Sequence, residues 1–336
     1  MRNTISNSDK IFIAGANGMV GSAIKRSLFK YVRSNYLSID ILCPSKLELN
    51  LLDKEEVNKW FIKNKPSIVI LAAAKVGGIF ANSKYPADFL LNNLLIETNV
   101  IESAWRHDVK RLVFLGSSCI YPKFAAQPIR EEFLLNGYLE STNECYAIAK
   151  IAGLKLCESL RSQYGFDAIS VMPTNLYGPN DNYHPQNSHV MAAIIRKFVI
   201  AKFKSSSSVS FWGSGSVFRE FLHVDDLAEA IIFCIENWHP SDDNSPRDSN
   251  GRILNHLNIG TGKDITIKEL VSKIAKLTSY KGEILWDSSK PDGTPKKLLD
   301  VSRINNLGWK AKIKLDSGIK QTINNLDISS LLNFKD

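Results

Sequence analysis

The short apolar run Ile11-Phe-Ile-Ala14 leads directly into Gly15-Ala16-Asn17-Gly18-Met19-Val20-Gly21, behind which Ile24, Leu28 and Val32 recur at helical spacing. A strand, a glycine turn and a helix in immediate succession make the first βα unit of a parallel sheet. The glycines let the backbone turn tightly and approach a pyrophosphate, and the helix N-terminus supplies amide donors and the positive end of its dipole. A lone G-x-x-G-x-x-G also occurs in plain turns. Its place right after a strand is what favours a nucleotide site here.

The same alternation continues along the chain. Apolar runs at 37–42, 67–71, 111–115, 167–172 and 256–260 read as strands, the last of them closing the series. Helical patterns fall at 49–60, 88–105, from Tyr146 onward, 190–202, 227–235 and 266–277, with a strand at 209–212 and a helical tail. This order predicts an α/β fold, a doubly wound parallel (Rossmann) sheet with a smaller C-terminal α+β substrate-binding lobe. The expected division is 10–180 for the NADP-binding domain, completed by about 222–260, with 181–221 and 261–336 forming the lobe.

The end of the second strand bears on the cofactor. An acidic residue there would bind the ribose 2′-hydroxyl of NAD. This chain reads Cys43-Pro44-Ser45-Lys46 instead, which favours NADP(H) and leaves Lys46 to pair with its 2′-phosphate.

Bulk properties narrow the function classes. Hydrophobic content of 44% and charged content of 23% in 336 residues are ordinary for a globular protein. No apolar run reaches membrane-spanning length and the stretch Met1–Lys10 lacks a secretory pattern, so no membrane association and a cytoplasmic location are expected. The five cysteines form no C-x-x-C pair, which argues against a disulfide framework and a metal site. The net charge of +8 is dispersed without aromatic interleaving, so no nucleic-acid partner is expected. Such a field steers anionic small molecules inward.

The chemistry concentrates after the strand at 111–115. There Leu115-Gly116-Ser117-Ser-Cys119 marks a strand end, and Tyr146 and Lys150 sit one helical turn apart further on. Ketone reduction needs a proton for the developing alkoxide, which a tyrosine supplies when a cation such as Lys150 lowers its pKa. Ser117 would hold the carbonyl in line. In an extended backbone Cys119 would face the same way as Ser117, and a thiolate is a competent base for a C–H beside a ketone. Inversion then needs a partner on the opposite face, for which His189 stands ready. The plain alternatives are a buried small cysteine and a surface histidine. Lys197, Trp212, Arg219 and Asp292 have the chemistry of a nucleotide-diphosphate pocket, although each has an ordinary structural role open to it. The helices at 88–105 and from Tyr146 are apolar on several faces, as a sheet and a second subunit together would require.

These residues resemble the extended short-chain dehydrogenase/reductase superfamily and, within it, the bifunctional GDP-4-keto-6-deoxy-D-mannose 3,5-epimerase/4-reductases. The most specific pieces are Ala72-Ala-Ala-Lys-Val-Gly-Gly78, Gly116-Ser-Ser-Cys-Ile-Tyr-Pro-Lys123, Tyr146-Ala-Ile-Ala-Lys150, Pro173-Thr174-Asn175-Leu176-Tyr-Gly-Pro179, Asn187-Ser-His189 and Arg219-Glu-Phe-Leu-His-Val-Asp-Asp226. The resemblance implies that Cys119 and His189 invert C3 and C5 before NADPH reduces C4 to yield GDP-L-fucose. It assigns the reductase roles to Ser117, Tyr146 and Lys150, and contacts with the GDP-sugar to Lys197, Trp212, Arg219 and Asp292. It places the cofactor against the residues from Gly15 to Gly21, Lys46, Leu115, Gly116, Ser117, Lys150, the residues Pro173 to Leu176, and His189. A homodimer is implied as well. Asn17 and Cys43-Pro44 depart from the arginine-bearing pattern of this group, which leaves Lys46 as the main phosphate contact. A 4,6-dehydratase would need an acidic pair where Cys119-Ile120 stands, and a simple 4-epimerase would not call for Cys119 and His189. A noncatalytic NADP-binding protein is the alternative from another class.

Overall fold

Short strands built almost wholly of Val, Ile, Leu, Phe and Ala bury both faces, which suits a parallel sheet covered by helices on each side. The computed structural model describes residues 4–289 and 293–332. The chain first alternates β1 (Lys10–Ala14), α1 (Met19–Ser34), β2 (Asp40–Leu42), α2 (Lys54–Asn64) and β3 (Ile68–Leu71). It continues through α3 (Ile79–Lys84), α4 (Pro86–Arg106), β4 (Arg111–Leu115), α5 (Glu144–Tyr164) and β5 (Ala168–Pro173). Next come β6 (Asn175–Tyr177), α6 (Val190–Phe203), β7 (Ser208–Trp212), β8 (Phe218–His223), α7 (Val224–Asn237) and β9 (His256–Ile259). The rest is β10 (Asp264–Thr266), α8 (Ile267–Thr278), β11 (Glu283–Asp287), β12 (Lys296–Lys297), α9 (Ser302–Leu307), α10 (Leu315–Asn324) and α11 (Ile328–Leu332).

The main sheet has six strands in the order β2-β1-β3-β4-β5-β9, every neighbouring pair parallel. Helices α2, α4 and α5 pack side by side in one layer, and α1 packs with α7. This is the doubly wound Rossmann arrangement, and the strand order reverses between β1 and β3, where such sheets open a crevice. Phe12 and Phe114, each 0% exposed, anchor its core at about 2–3 kcal/mol apiece.

A second core gathers Phe198, Phe211, Tyr177, Ile194, Leu270, Ile274 and Ile319. Around it β8 pairs with β6, β10 and β12, and β7 pairs with β11. Sheet pairing thus puts 175–177 with this second unit, while Leu299, Val301, Ile304 and Trp309 pack into the first core.

Several expected boundaries are corrected. The helix placed at 49–60 starts at Lys54 because the Asp53 side chain accepts from Glu56 N and caps it. Strand β2 starts at Asp40, since Leu37 N still bonds Val32 O in the turn leaving α1. The strand at 256–260 is not the last one, because β10, β11 and β12 follow it. Those strands span two to five residues, too short to show a period. Among the described residues no helix is long and apolar enough to cross a membrane, and no group of His, Cys, Asp or Glu is placed to hold a metal.

Candidate active site

The glycine turn packs against the end of β3. Gly15 adopts φ +86°, and a Cβ there would lie 2.8 Å from the Ala73 backbone. A Cβ on Gly21 would come within 2.1 Å of Gly15 O, so helix α1 can approach the turn only with glycine there. Gly18 caps α1 with no side-chain bond, and no acidic residue occupies the first turn. An uncapped helix start beside small residues fits the pyrophosphate of a dinucleotide. Beyond β2, Cys43 is half-buried and Lys46 exposed, while the Glu48 carboxylate is tied to Ser45 N at 2.7 Å.

The next strand ends carry the reactive groups. A Cβ on Gly116 would strike Met172 Sδ at 2.3 Å, so the chain leaves β4 close to the end of β5. Ser117 does not continue an extended strand toward Cys119, as the sequence reading expected. It caps a tight 3₁₀ turn over Ser118–Ile120, its Oγ accepting from Cys119 N at 3.2 Å. The turn reaims Cys119, whose Sγ lies 3.2 Å from Asn143 Nδ2 and 3.8 Å from Lys297 Nζ. An amide donor and an ammonium thus both face the sulfur.

The Ser117 side chain lies beside the Tyr146 phenol. Lys150 Nζ donates to Leu115 O at 2.9 Å, stands 2.9 Å from Glu97 Oε1, and lies 6.0 Å from the Tyr146 ring centroid. In the free protein the Tyr146 pKa is raised, not lowered. Desolvation holds the phenol far above its ordinary value, with charge at Cys119 and Glu97 adding to the rise.

His189 stands exposed at the start of α6, on a loop seated against the other unit. Gly78 N donates to Asn187 O at 3.1 Å, and a Cβ on Gly78 would lie 2.6 Å from Ser188 O. Among the described residues no hydrogen bond joins His189 to Cys119. Gly78→Ala must push Ser188 aside, costing about 1–3 kcal/mol of stability. It should lower any proton exchange that depends on His189 by roughly tenfold, about 1.4 kcal/mol, which solvent-isotope exchange followed by NMR will measure.

Lys197 donates to Ser210 O at 2.7 Å and covers the Phe211 ring. Arg219 Nη1 donates to Phe218 O and Thr294 O at 2.7 and 2.6 Å. Trp212, 69% exposed, ends β7 opposite Asp287. These three belong to the second unit, and Asp292 lies outside the described residues. Thr174 is buried and Asn175 Nδ2 donates to Glu220 O, tying the 173–176 segment to β8.

A profile of the NAD dependent epimerase/dehydratase family matches residues 11–255. The chain belongs to this family. Among the family's members, "GDP-L-fucose synthase" of Escherichia coli (strain K12) is 52% identical, the match covering 94% of this chain and 96% of that one. "GDP-L-fucose synthase 1" of Arabidopsis thaliana is also 52% identical, over 94% of this chain and 92% of its own. A GDP-mannoheptose C4 reductase from Campylobacter jejuni, solved with NADP bound, superposes with TM-score 0.84 at 36% identity, covering 95% of this chain and 98% of that one.

Three residues that touch Lys150 or Cys119 in this family member, Glu97, Asn143 and Lys297, were not singled out in the sequence. Glu97 is a charge inside the apolar stretch of α4, which is a readable signal. Asn143 lies just before α5 starts, near Tyr146 in the chain. Lys297, 178 residues from Cys119, leaves no local trace. Lys297→Met should slow alkylation of Cys119 by iodoacetamide roughly tenfold at neutral pH, the usual effect of losing one nearby cation. Peptide mapping by mass spectrometry separates Cys119 from the other cysteines, and an unchanged rate would show that the ammonium does not act on the sulfur.

Proposed function

We propose that the chain is a GDP-L-fucose synthase, which inverts C3 and C5 of GDP-4-keto-6-deoxy-D-mannose and then reduces its C4 ketone with NADPH. The observation that carries this reading is the meeting, at the end of β4, of a Ser117–Tyr146–Lys150 reductase group with Cys119, itself flanked by Asn143 and Lys297. Names borne by relatives about half identical along nearly the whole chain support it.

The C4 ketone sets the order of events. It acidifies the C–H bonds on both flanking carbons, so both inversions precede its loss. Cys119 and His189 exchange protons at those carbons, one on each face. Ser117 then holds the ketone oxygen and Tyr146 gives it a proton. NADP(H), when bound, supplies the hydride for C4. The residues from Gly15 to Gly21 would take its pyrophosphate and Lys46 its 2′-phosphate. Leu115, Gly116, Ser117, Lys150, the residues Pro173 to Leu176, and His189 would flank its nicotinamide end. Bound NADP in the Campylobacter jejuni relative supports this choice of cofactor.

Residues 10–180 with 222–260 serve the cofactor in this reading, and 181–221 with 261–336 serve the GDP-sugar through Lys197, Trp212, Arg219 and Asp292. Leu91, Leu95 and Ile148, 57%, 36% and 43% exposed on the α4 and α5 layer, support a homodimer joined through these helices. Unpaired cysteines fit a reducing compartment, and we place the enzyme in the cytoplasm.

The test is incubation with GDP-4-keto-6-deoxy-D-mannose in D₂O without NADPH, followed by NMR. Deuterium should enter C3 and C5, and NADPH added afterwards should be oxidised as C4 is reduced. No uptake at either carbon removes the epimerase half.

A further inference from the structure

Lys150 has a partner that the reductase motif does not contain. Glu97, in the middle of α4, is 1% exposed, and its Oε1 stands 2.9 Å from the Lys150 ammonium, itself 2% exposed. Neither Glu97 oxygen receives a well-aligned hydrogen bond among the described residues, so this carboxylate depends on Lys150 alone. The fold makes room for it, since a Cβ on Gly153 would lie 2.6 Å from both Glu97 Oε2 and Phe114 Cζ. The ammonium is held from the other side by Leu115 O and by the Phe114 ring, 4.8 Å away. Besides Lys150, the ionisable groups that sense Glu97 are Tyr146 and Cys157, both on α5.

As a stability device this arrangement is poor. Burying two charges costs several kcal/mol each, and the loss is recovered only when further donors satisfy the carboxylate. Here none does, and an apolar pair of equal volume would serve the fold as well. The position of the pair, next to the tyrosine that gives up its proton, supplies a different reason for it.

We propose that Glu97 is a positioning residue for the reduction step, keeping Lys150 charged and fixed beside Tyr146. This rests on the reductase reading above. In that step C4 takes a hydride, the Tyr146 O–H bond breaks and a new O–H bond forms at the C4 oxygen. A phenolate is left on Tyr146 and is later reprotonated from solvent. The Lys150 ammonium balances that negative charge, and Glu97 keeps the ammonium from losing its proton in a dry site.

Glu97→Gln keeps the shape and removes the charge. The basic limb of the pH profile for kcat of reduction should move down by about one unit or more, the usual scale for losing an adjacent opposite charge. Turnover at about pH 9 should then fall at least tenfold relative to the unaltered protein, and at about pH 6.5 stay within roughly threefold. Deuterium exchange at C3 reports whether the sugar site survives. A profile that keeps its shape, whether lowered uniformly or unchanged, overturns the proposal. Should Glu97→Gln not fold, Glu97→Asp takes its place, and an unmoved limb overturns the idea equally.

A second readout needs neither cofactor nor substrate. In protein labelled with ¹³C at lysine Cε, Lys150 is shifted by the Phe114 ring and is assigned by its absence in Lys150→Arg. Its titration should fall to lower pH in Glu97→Gln, and an unmoved titration overturns the proposal. If the unaltered protein neither exchanges deuterium nor oxidises NADPH, the functional reading fails while this signal still decides whether Glu97 keeps Lys150 charged.

Discussion

Tyr146→Phe will slow NADPH oxidation with GDP-4-keto-6-deoxy-D-mannose by roughly 10²–10⁴-fold, the range for loss of a positioned acid. That is about 3–5.5 kcal/mol of transition-state stabilisation. The ring stays, including its edge contact with Phe89, and only the phenol oxygen beside Ser117 is lost. Fold and cofactor affinity should therefore hold, which thermal melting and NADPH fluorescence titration will check. Deuterium entry at C3 should be largely unchanged, because the proposed mechanism assigns that exchange to Cys119 and His189. The free protein sharpens the expectation. Burial holds the phenol protonated through the neutral range, as the proposed role of Tyr146 as an acid requires. Loss of exchange and reduction together would mean that Tyr146 serves both steps.

Cys119→Ser should have the complementary signature. A serine hydroxyl fits the same 3₁₀ turn, but it keeps its proton at neutral pH even beside Asn143 and Lys297. Exchange at the carbon served by Cys119 should drop by roughly 10²–10⁴-fold. Overall turnover should follow it, since reduction of the wrong stereoisomer would give a different sugar. Single-turnover reduction of an already epimerised ketose would stay near the unaltered rate. If C3 and C5 both keep their exchange rates, the sulfur is not the base or acid at either carbon.

Much of the architecture was readable because its signals are local. Apolar runs of four to six residues, a glycine turn and helical spacing identify parallel strands and crossover helices without tertiary information. The motif around Ser117, Cys119, Tyr146 and Lys150 was also readable, since Leu115 marks a buried strand end and the tyrosine–lysine spacing is one helical turn. Less was legible where the chain uses small pieces. Strands β10 and β12 hold three and two residues, and their pairing with β8 is set by the lobe around them. The turn at Ser118–Ile120 likewise depends on the close pass of Gly116 by Met172, which no local pattern states.

From the sequence alone came the class of fold, the place of the nucleotide turn and the types of reactive side chain, all consequences of periodicity and residue chemistry along a single stretch. Only the tertiary structure decided which charges meet. It turned Lys150 toward Glu97 and Leu115 O, brought Lys297 to Cys119 across 178 residues, and seated the His189 loop on Gly78. The reason is physical: electrostatic energy depends on distance and on the exclusion of water. Both are set by how α4 packs on α5 and how the two units pack together.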